Sequence, residues 1–349
     1  MDQRIDIGGL DREAIARLVA DLGQATYRTR QLVRWLYARR AVCFEDMSDL
    51  PAELRAALIE RYFVGAAETV ARQKSADGAR KYLVRFPDGV SVETVGLPDE
   101  DRLTVCFSTQ AGCAMGCSFC ATGRAGFVRD LSPGEMVRQV MLVAHDFGHR
   151  VTNAVAMGQG EPFANYDATL GALRFMNADD GLGIGARHLT VSTCGLLPGI
   201  RRFSTEPEQF TLAVSLHSAV GATRRTLMPG VRGVSLTSLR QAIVDYAETT
   251  GRRPTLEYAL IDGVNDTPAE LEALVAFARG MLVHVNLIPV NPVAGAGLKR
   301  ATASRARAFA DTMDAVGIEC SIRVERGADI DAACGQLKQV FQEEELPGS

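Results

Sequence analysis

The sequence predicts an α/β fold, a partial (β/α)6 barrel carrying a small helical N-terminal domain and a hairpin. Three observations predict it. From residue 104 onward, short apolar runs of strand length alternate with amphipathic helical segments, which is the pattern of a parallel sheet with its helices outside. Six such units are too few to close an eight-stranded barrel, so the barrel stays open. The first ninety or so residues show helical spacing and then a strand–turn–strand pattern, and the 349 residues suffice for a barrel with one appendage.

Asp11 caps a helix running to about Leu22, residues 27–40 place Leu32, Trp35 and Leu36 at helical spacing, and a third helix covers 51–62. Residues 80–86 alternate as a strand, Pro87-Asp88-Gly89 turns, and 90–95 alternates again as the second arm of a hairpin. Barrel strands are expected over 104–109, 151–157, 188–193, 211–216, 255–261 and 283–289, with 320–324 a seventh. Ser132 before Pro133 marks a helix start, the hydroxyl as cap and proline at the first position. The expected division is 1–95 for the helices and hairpin, and 96–349 for the barrel with a C-terminal cysteine segment. In such sheets function gathers where strands end and loops begin.

Composition narrows the classes. No apolar run approaches the roughly 18 residues of a membrane span, and Met1–Asp6 has neither a basic nor an apolar leader segment, so a cytoplasmic protein with no membrane partner is expected. Eight cysteines without a leader argue for metal or redox chemistry rather than a disulfide framework. A net charge of −4 gives no global sign of nucleic-acid binding, so such a site must come from local patches.

Cys113-Ala-Met-Gly-Cys117-Ser-Phe-Cys120 directly follows the first barrel strand. Three thiolates at this spacing can converge on one metal centre, and thiolate is the ligand that iron–sulfur clusters and zinc select. Three protein ligands leave one iron of a cubane open for a substrate. Structural zinc, with Cys106 as fourth ligand, is the alternative, although zinc ligands usually come as two separated pairs. The motif and its place resemble the radical S-adenosylmethionine (SAM) superfamily. That resemblance implies a 4Fe–4S cluster on Cys113, Cys117 and Cys120 and SAM chelated to its open iron. The second strand ends in Gly158-Gln159-Gly160-Glu161, similar to the superfamily's motif for the SAM amine. Ser192, Ser215-Leu216-His217 and Asn291 close the third, fourth and sixth strands. Each alone reads as an ordinary loop polar; together, at successive strand ends, they are candidates for the SAM cradle.

The string Asp329-Ile-Asp-Ala-Ala-Cys334-Gly-Gln-Leu337 resembles the RlmN/Cfr family of radical SAM rRNA methyltransferases. So do Tyr27-Arg-Thr-Arg-Gln31, Val92-Glu-Thr-Val95, Ser108-Thr-Gln-Ala-Gly-Cys113, Glu257-Tyr258, Gly263-Val-Asn-Asp266 and Val285-Asn-Leu-Ile-Pro289. The resemblance implies methylation of adenosine C2 in 23S rRNA, and of a tRNA adenosine in some members, with two SAM molecules per turnover. Cys334 matches the cysteine that takes a methyl from the first. Hydrogen is then removed from that methyl, and the methylene radical adds to an adenine ring carbon. Cys106 matches the partner that takes the ring proton and releases product, leaving a Cys106–Cys334 disulfide. Glu93 matches a proton acceptor. A flavodoxin- or ferredoxin-type electron donor and a monomeric chain are expected. Gln159 and Cys194 depart from the Met and Ser common in the family, and both are expected to tune the SAM site from beside it. Cys43, Cys194 and Cys320 otherwise read as small core residues.

Residues 27–40 carry Arg28, Arg30, Arg34, Arg39 and Arg40 with Tyr27, Trp35 and Tyr37 between them, a composition suited to RNA phosphates and bases and equally to a solvated helix face. Arg224-Arg225, Lys299-Arg300, Arg323 and Arg326 are expected to frame the barrel mouth, where the target base must leave its stack. Three rival readings stand beside it: Cfr-like methylation at C8, a non-catalytic RNA-binding module stabilised by metal, and a radical SAM enzyme with a small-molecule substrate, against which the N-terminal basic helix speaks.

Overall fold

The computed structural model describes residues 4–39, 41, 43–65, 67–293 and 295–337. Arg40 and the end of the C-terminal segment, residues 338–349, lie outside them.

The N-terminal helices are α1 (Arg12–Asp21), α2 (Tyr27–Val33) and α3 (Ala52–Arg61), with a parallel bridge between β1 (Ile5–Asp6) and β2 (Tyr62–Phe63). Asp11 caps α1, its carboxylate accepting from Ala14 N at 2.7 Å. The helix expected over 27–40 changes to a π turn at Arg34–Ala38. Leu32, Val33, Leu36 and Tyr37 still turn inward there, and the Tyr37 ring packs on Phe175 with centroids 4.4 Å apart.

Three antiparallel strands follow: β3 (Glu68–Lys74), β4 (Arg80–Arg85) and β5 (Ser91–Asp99). The hairpin was expected with the N-terminal helices. Instead β5 pairs with β6 (Arg102–Cys106), so the hairpin extends the barrel's own sheet across the 95/96 division. A small ribbon of β7 (Gln110–Gly112) and β8 (Phe127–Asp130) brackets α4 (Ala121–Ala125). The barrel then runs through α5 (Pro133–Phe147), β9 (Asn153–Ala156), α6 (Tyr166–Asn177), β10 (Leu189–Thr193), α7 (Leu197–Phe203) and β11 (Thr211–Ser215). It continues with α8 (Gly221–Leu227), α9 (Leu236–Thr250), β12 (Thr255–Leu260), α10 (Pro268–Ala278), β13 (His284–Pro289), α11 (Ala303–Ala315) and β14 (Cys320–Ile322).

From β6 through β9, β10, β11, β12 and β13 to β14, each strand pairs in parallel with the next. All seven expected barrel strands are present, and the seventh closes the row without meeting the first. Alternation does the sorting: in β6, Leu103 and Val105 are buried while Thr104 and Cys106 are partly open. Ser132 and Glu135 form a reciprocal capping box at the start of α5.

Candidate functional site

Every barrel strand delivers its C-terminal end to the same side, and the loops there enclose two adjoining cavities. The loop after β7 carries the three motif cysteines, all lining the inner cavity. Its shape depends on glycine. Gly112 has φ +74, and a Cβ there would lie 2.0 Å from Gly126 O, so no side chain fits. Cys113 N donates to that same Gly126 O at 2.8 Å, and Ser118 N to Leu227 O at 3.0 Å, which fastens the loop to its own ribbon and to α8. Among the described residues, no three His, Cys, Asp or Glu side chains meet closely enough to hold a single ion. A cubane takes its thiolates on separate irons and suits a wider-set triad. Burial pushes the Cys113 thiol up to about 12, so a bound cation is needed to hold it as thiolate at neutral pH.

Opposite the cysteines, the loop after β9 presents Gly160, with φ +108, and Glu161. Glu161 is buried and already holds two main-chain donors, Cys194 N at 2.6 Å and Phe163 N at 3.0 Å. Burial raises its pKa. Ser192, Ser215 and His217 line the same cavity. Leu216, between the last two, turns its side chain into the core at 0% exposure, so the cradle expectation for it rests on its main chain alone. That main chain is committed as well: its N donates to Glu257 O at 3.0 Å and its carbonyl accepts from Arg224 Nε at 3.2 Å. His217 adopts φ +54, and its Nδ1 accepts from Ala259 N at 2.9 Å, so its Nε2 carries the proton. Burial, and then Arg224, depress its pKa to about 3.

The outer cavity is lined by Cys106, Val95, Arg300 and Arg326. Cys334, Asn291, Arg323 and Met157 belong to the walls of both cavities. Asn291 Nδ2 donates to Cys334 O at 3.1 Å, while its buried Oδ1 has no hydrogen-bond partner among the described residues. An acceptor left open in a cavity wall marks a place for a ligand's donor. Burial pushes the Cys106 thiol up to about 12, and the charge of Arg323, beside both Cys106 and Cys334, opposes that rise.

Several expectations change on the structure. Glu93 lines neither cavity: at 2% exposure it lies behind the wall, in an ion pair with buried Lys81 at 3.3 Å. Cys194 is a wall residue of the inner cavity rather than a core filler. It stands against Cys117, and the hydrogen bond between the two sulfurs lowers the Cys117 pKa while raising that of Cys194. Gln159 is buried and acts through its main chain, its carbonyl accepting from Thr109 N at 2.8 Å. Arg224 does not frame the mouth; it is buried, bonded to the carbonyls of Cys194, Leu216 and Ser215. Beyond α2, Arg39 stacks on Trp35 and Trp35 Nε1 donates to Asp49, so among the described residues Arg30 and Arg34 are the exposed cations of this segment held in no such pairing. Glu257 was not weighed as a cavity residue from the sequence, whereas Arg323, expected at the mouth, lines both cavities. Arg323 directly follows β14, and Glu257, third in β12, is in register with Ser215 at the end of β11.

Residues 5–64 match the family of ribosomal RNA large subunit methyltransferase N-terminal domains, and residues 107–278 match the radical SAM superfamily. The chain is 45% identical to a probable dual-specificity RNA methyltransferase RlmN of Pelotomaculum thermopropionicum, over 96% of this chain and 92% of the relative. It is 44% identical to the protein of that name from Moorella thermoacetica, over 98% and 99%. Among solved structures, a radical SAM methyltransferase from Sphaerobacter thermophilus superimposes with a TM-score of 0.89 at 44% identity, covering 96% of this chain and all of that one.

Proposed function

Because the chain belongs to the RlmN family of radical SAM RNA methyltransferases, with a 4Fe–4S cluster and SAM as cofactors, we propose that it methylates C2 of an adenosine in 23S rRNA, and of a tRNA adenosine too, through S-methylated Cys334. The observation that carries this reading is the place of Cys334 in the wall common to two cavities. A sulfur there has the cluster cysteines on one side and Cys106 on the other. A methyl accepted inside is thereby presented to a base held outside.

Cys113, Cys117 and Cys120 hold the cluster, and Gly160, Glu161, Ser192, Ser215, His217 and Asn291 surround the space beside it for SAM. Cluster and SAM together supply the radical that removes hydrogen from a methyl group. The chain's own residues do the rest. Cys334 accepts the methyl and keeps it within reach of both cavities. Burial keeps Cys106 protonated at neutral pH, so it must lose that proton before taking one from the ring. Arg323 is the charge placed to favour that loss. Glu93, paired with Lys81 behind the wall, supports the site instead of exchanging protons in it. The narrow, partly apolar outer cavity suits a single extruded base.

This reading includes a flavodoxin- or ferredoxin-type electron donor, a monomeric chain and a cytoplasmic setting. Among the described residues no helix is long and apolar enough to cross a membrane. Mass spectrometry of nucleosides from RNA treated with the reconstituted protein tests the proposal. The expected product is 2-methyladenosine, and the Cys334 peptide gains the mass of one CH2 group on exposure to SAM. A product that is 8-methyladenosine alone overturns the assignment of the ring carbon.

A further inference from the structure

The loop that carries Cys334 is held from two sides. On one side it is bonded to the barrel: Asn291 holds Cys334 O, Ala121 N donates to Gly335 O at 2.7 Å, and Thr122 Oγ1 to Leu337 O at 2.8 Å. On the other side it meets the turn between β3 and β4, which the reaction as described does not use. Asp77, in that turn, accepts through Oδ2 from Gly327 N at 2.9 Å and from Arg326 Nε at 3.2 Å. Its Oδ1 accepts from Ala79 N at 2.9 Å within the turn. Asp329 returns the grip, its Oδ2 accepting from Ala76 N at 3.0 Å. Arg326 also donates to Asp77 O at 3.2 Å and Pro98 O at 2.6 Å.

Between these grips the backbone is left-handed at Gly327 (φ +67) and at the non-glycine Asp331 (φ +50), whose carbonyl accepts from Lys81 Nζ at 3.4 Å. Aspartate adopts this conformation more readily than most residues, and the loop runs between its bonds to the barrel and its bonds to the hairpin.

We propose that this clasp, centred on Asp77 with Asp329, is a positioning device that sets Cys334 where it can take a methyl from SAM in the inner cavity. The proposal rests on the role given above to Cys334. In that step the Cys334 sulfur–methyl bond forms as the sulfonium–methyl bond of SAM breaks, the thiol proton passes to solvent, and S-adenosylhomocysteine leaves. Displacement of a reacting atom by about 1 Å costs up to ~10²-fold in rate. Asp77 and Asp329 are partly or fully open to solvent and lie away from the core. Breaking the clasp thus frees the loop without unfolding the barrel.

The test uses the full chain with its cluster reconstituted, as parent, Asp77→Asn and Asp329→Ala. Asn has one acceptor oxygen and cannot serve Ala79 N and Gly327 N together; Asp329→Ala cuts the clasp while leaving the turn intact. Two rates are read at Cys334 by peptide mass: methylation by SAM, and alkylation by iodoacetamide without SAM. Methylation needs a placed sulfur, and a small diffusing electrophile does not. We expect methylation to fall at least ten-fold in both variants, with KM for SAM, iron content and Tm retained and alkylation unchanged or faster. Variant methylation at the parent rate overturns the clasp, and so does a parallel fall of both reactions. A parent chain with intact cluster that never methylates Cys334 overturns the functional reading beneath it.

Discussion

Cys106 and Cys334 are two sulfurs in one cavity wall, and the proposed function gives them different duties that substitution separates. Cys334→Ala leaves RNA unmodified because nothing accepts the methyl. Cys106→Ala retains methyl acceptance but lacks the group that frees the product, so RNA covalently attached to Cys334 accumulates while released product falls by about 10²–10⁴-fold, the range for losing a proton-transfer group. A denaturing gel of protein with labelled RNA reads both outcomes. Behind the same wall, Lys81 and Glu93 are a buried pair. Lys81→Met breaks this buried ion pair and lowers stability by about 3–5 kcal/mol, read from denaturant unfolding. The proposed roles of Cys334 and Cys106 come from the resemblance of whole strings, and the structure adds that both line one cavity. The Glu93 environment was not legible, since nothing in Val92-Glu93-Thr94 announces that Lys81, on the neighbouring strand, faces it. His217 supplies a pH dependence with a definite sign. Its folded pKa is depressed to about 3 from the usual 6.5, so the unfolded chain binds the proton more readily. Its contribution is complete above about pH 6.5 and is lost as pH falls from there toward 3. A pH series of unfolding free energies should decline over that window, and the decline should flatten in His217→Gln.

At the scale of elements, the seven parallel strands could be read directly because each is a short, largely apolar run bounded by turns, with one face in the core. β3 could not: as the sheet's edge, Glu68–Lys74 is mostly exposed and polar, with little alternation to see. Cys194 was hidden for a related reason. It lies one residue past β10, where a lone cysteine reads as packing, and only the crossing of the β10 and β7 loops sets it against Cys117. The cluster loop is an element whose shape was legible in its glycines but whose constraint was not. Gly112→Ala should show that constraint. It places a methyl against Gly126 O in a conformation that disfavours any side chain. Iron bound per chain after anaerobic reconstitution should drop to a small fraction of the parent's, while far-UV circular dichroism is retained.

At the scale of the whole molecule, a chain of net charge −4 has to recruit RNA through a local patch. The structure selects which cations remain for it. Arg28 bonds Gln31 and Asp49 O, and Arg39 is drawn to Asp49 and the Trp35 ring. Arg30 and Arg34, four residues apart and so on one face across the α2–π junction, are exposed and in no ion pair among the described residues. The α2 turns sit in the region that matches rRNA methyltransferase N-terminal domains, while Cys106 and Cys334 line the cavity at the barrel's mouth. Holding RNA and modifying it should therefore separate in experiment. Each phosphate contact contributes a slope of about 0.7–0.9 in log K against log salt. If Arg30 and Arg34 each hold one phosphate, replacing both by Ala reduces the slope by about 1.5 and weakens binding most at low salt, with SAM-dependent methylation of Cys334 at the parent rate. Binding of a labelled rRNA fragment across a salt series measures this. An unchanged slope would shift the recognition surface to Arg300 and Arg326 at the outer cavity, since those cations, although paired with Glu325 and Asp77, stand where the extruded base has to enter.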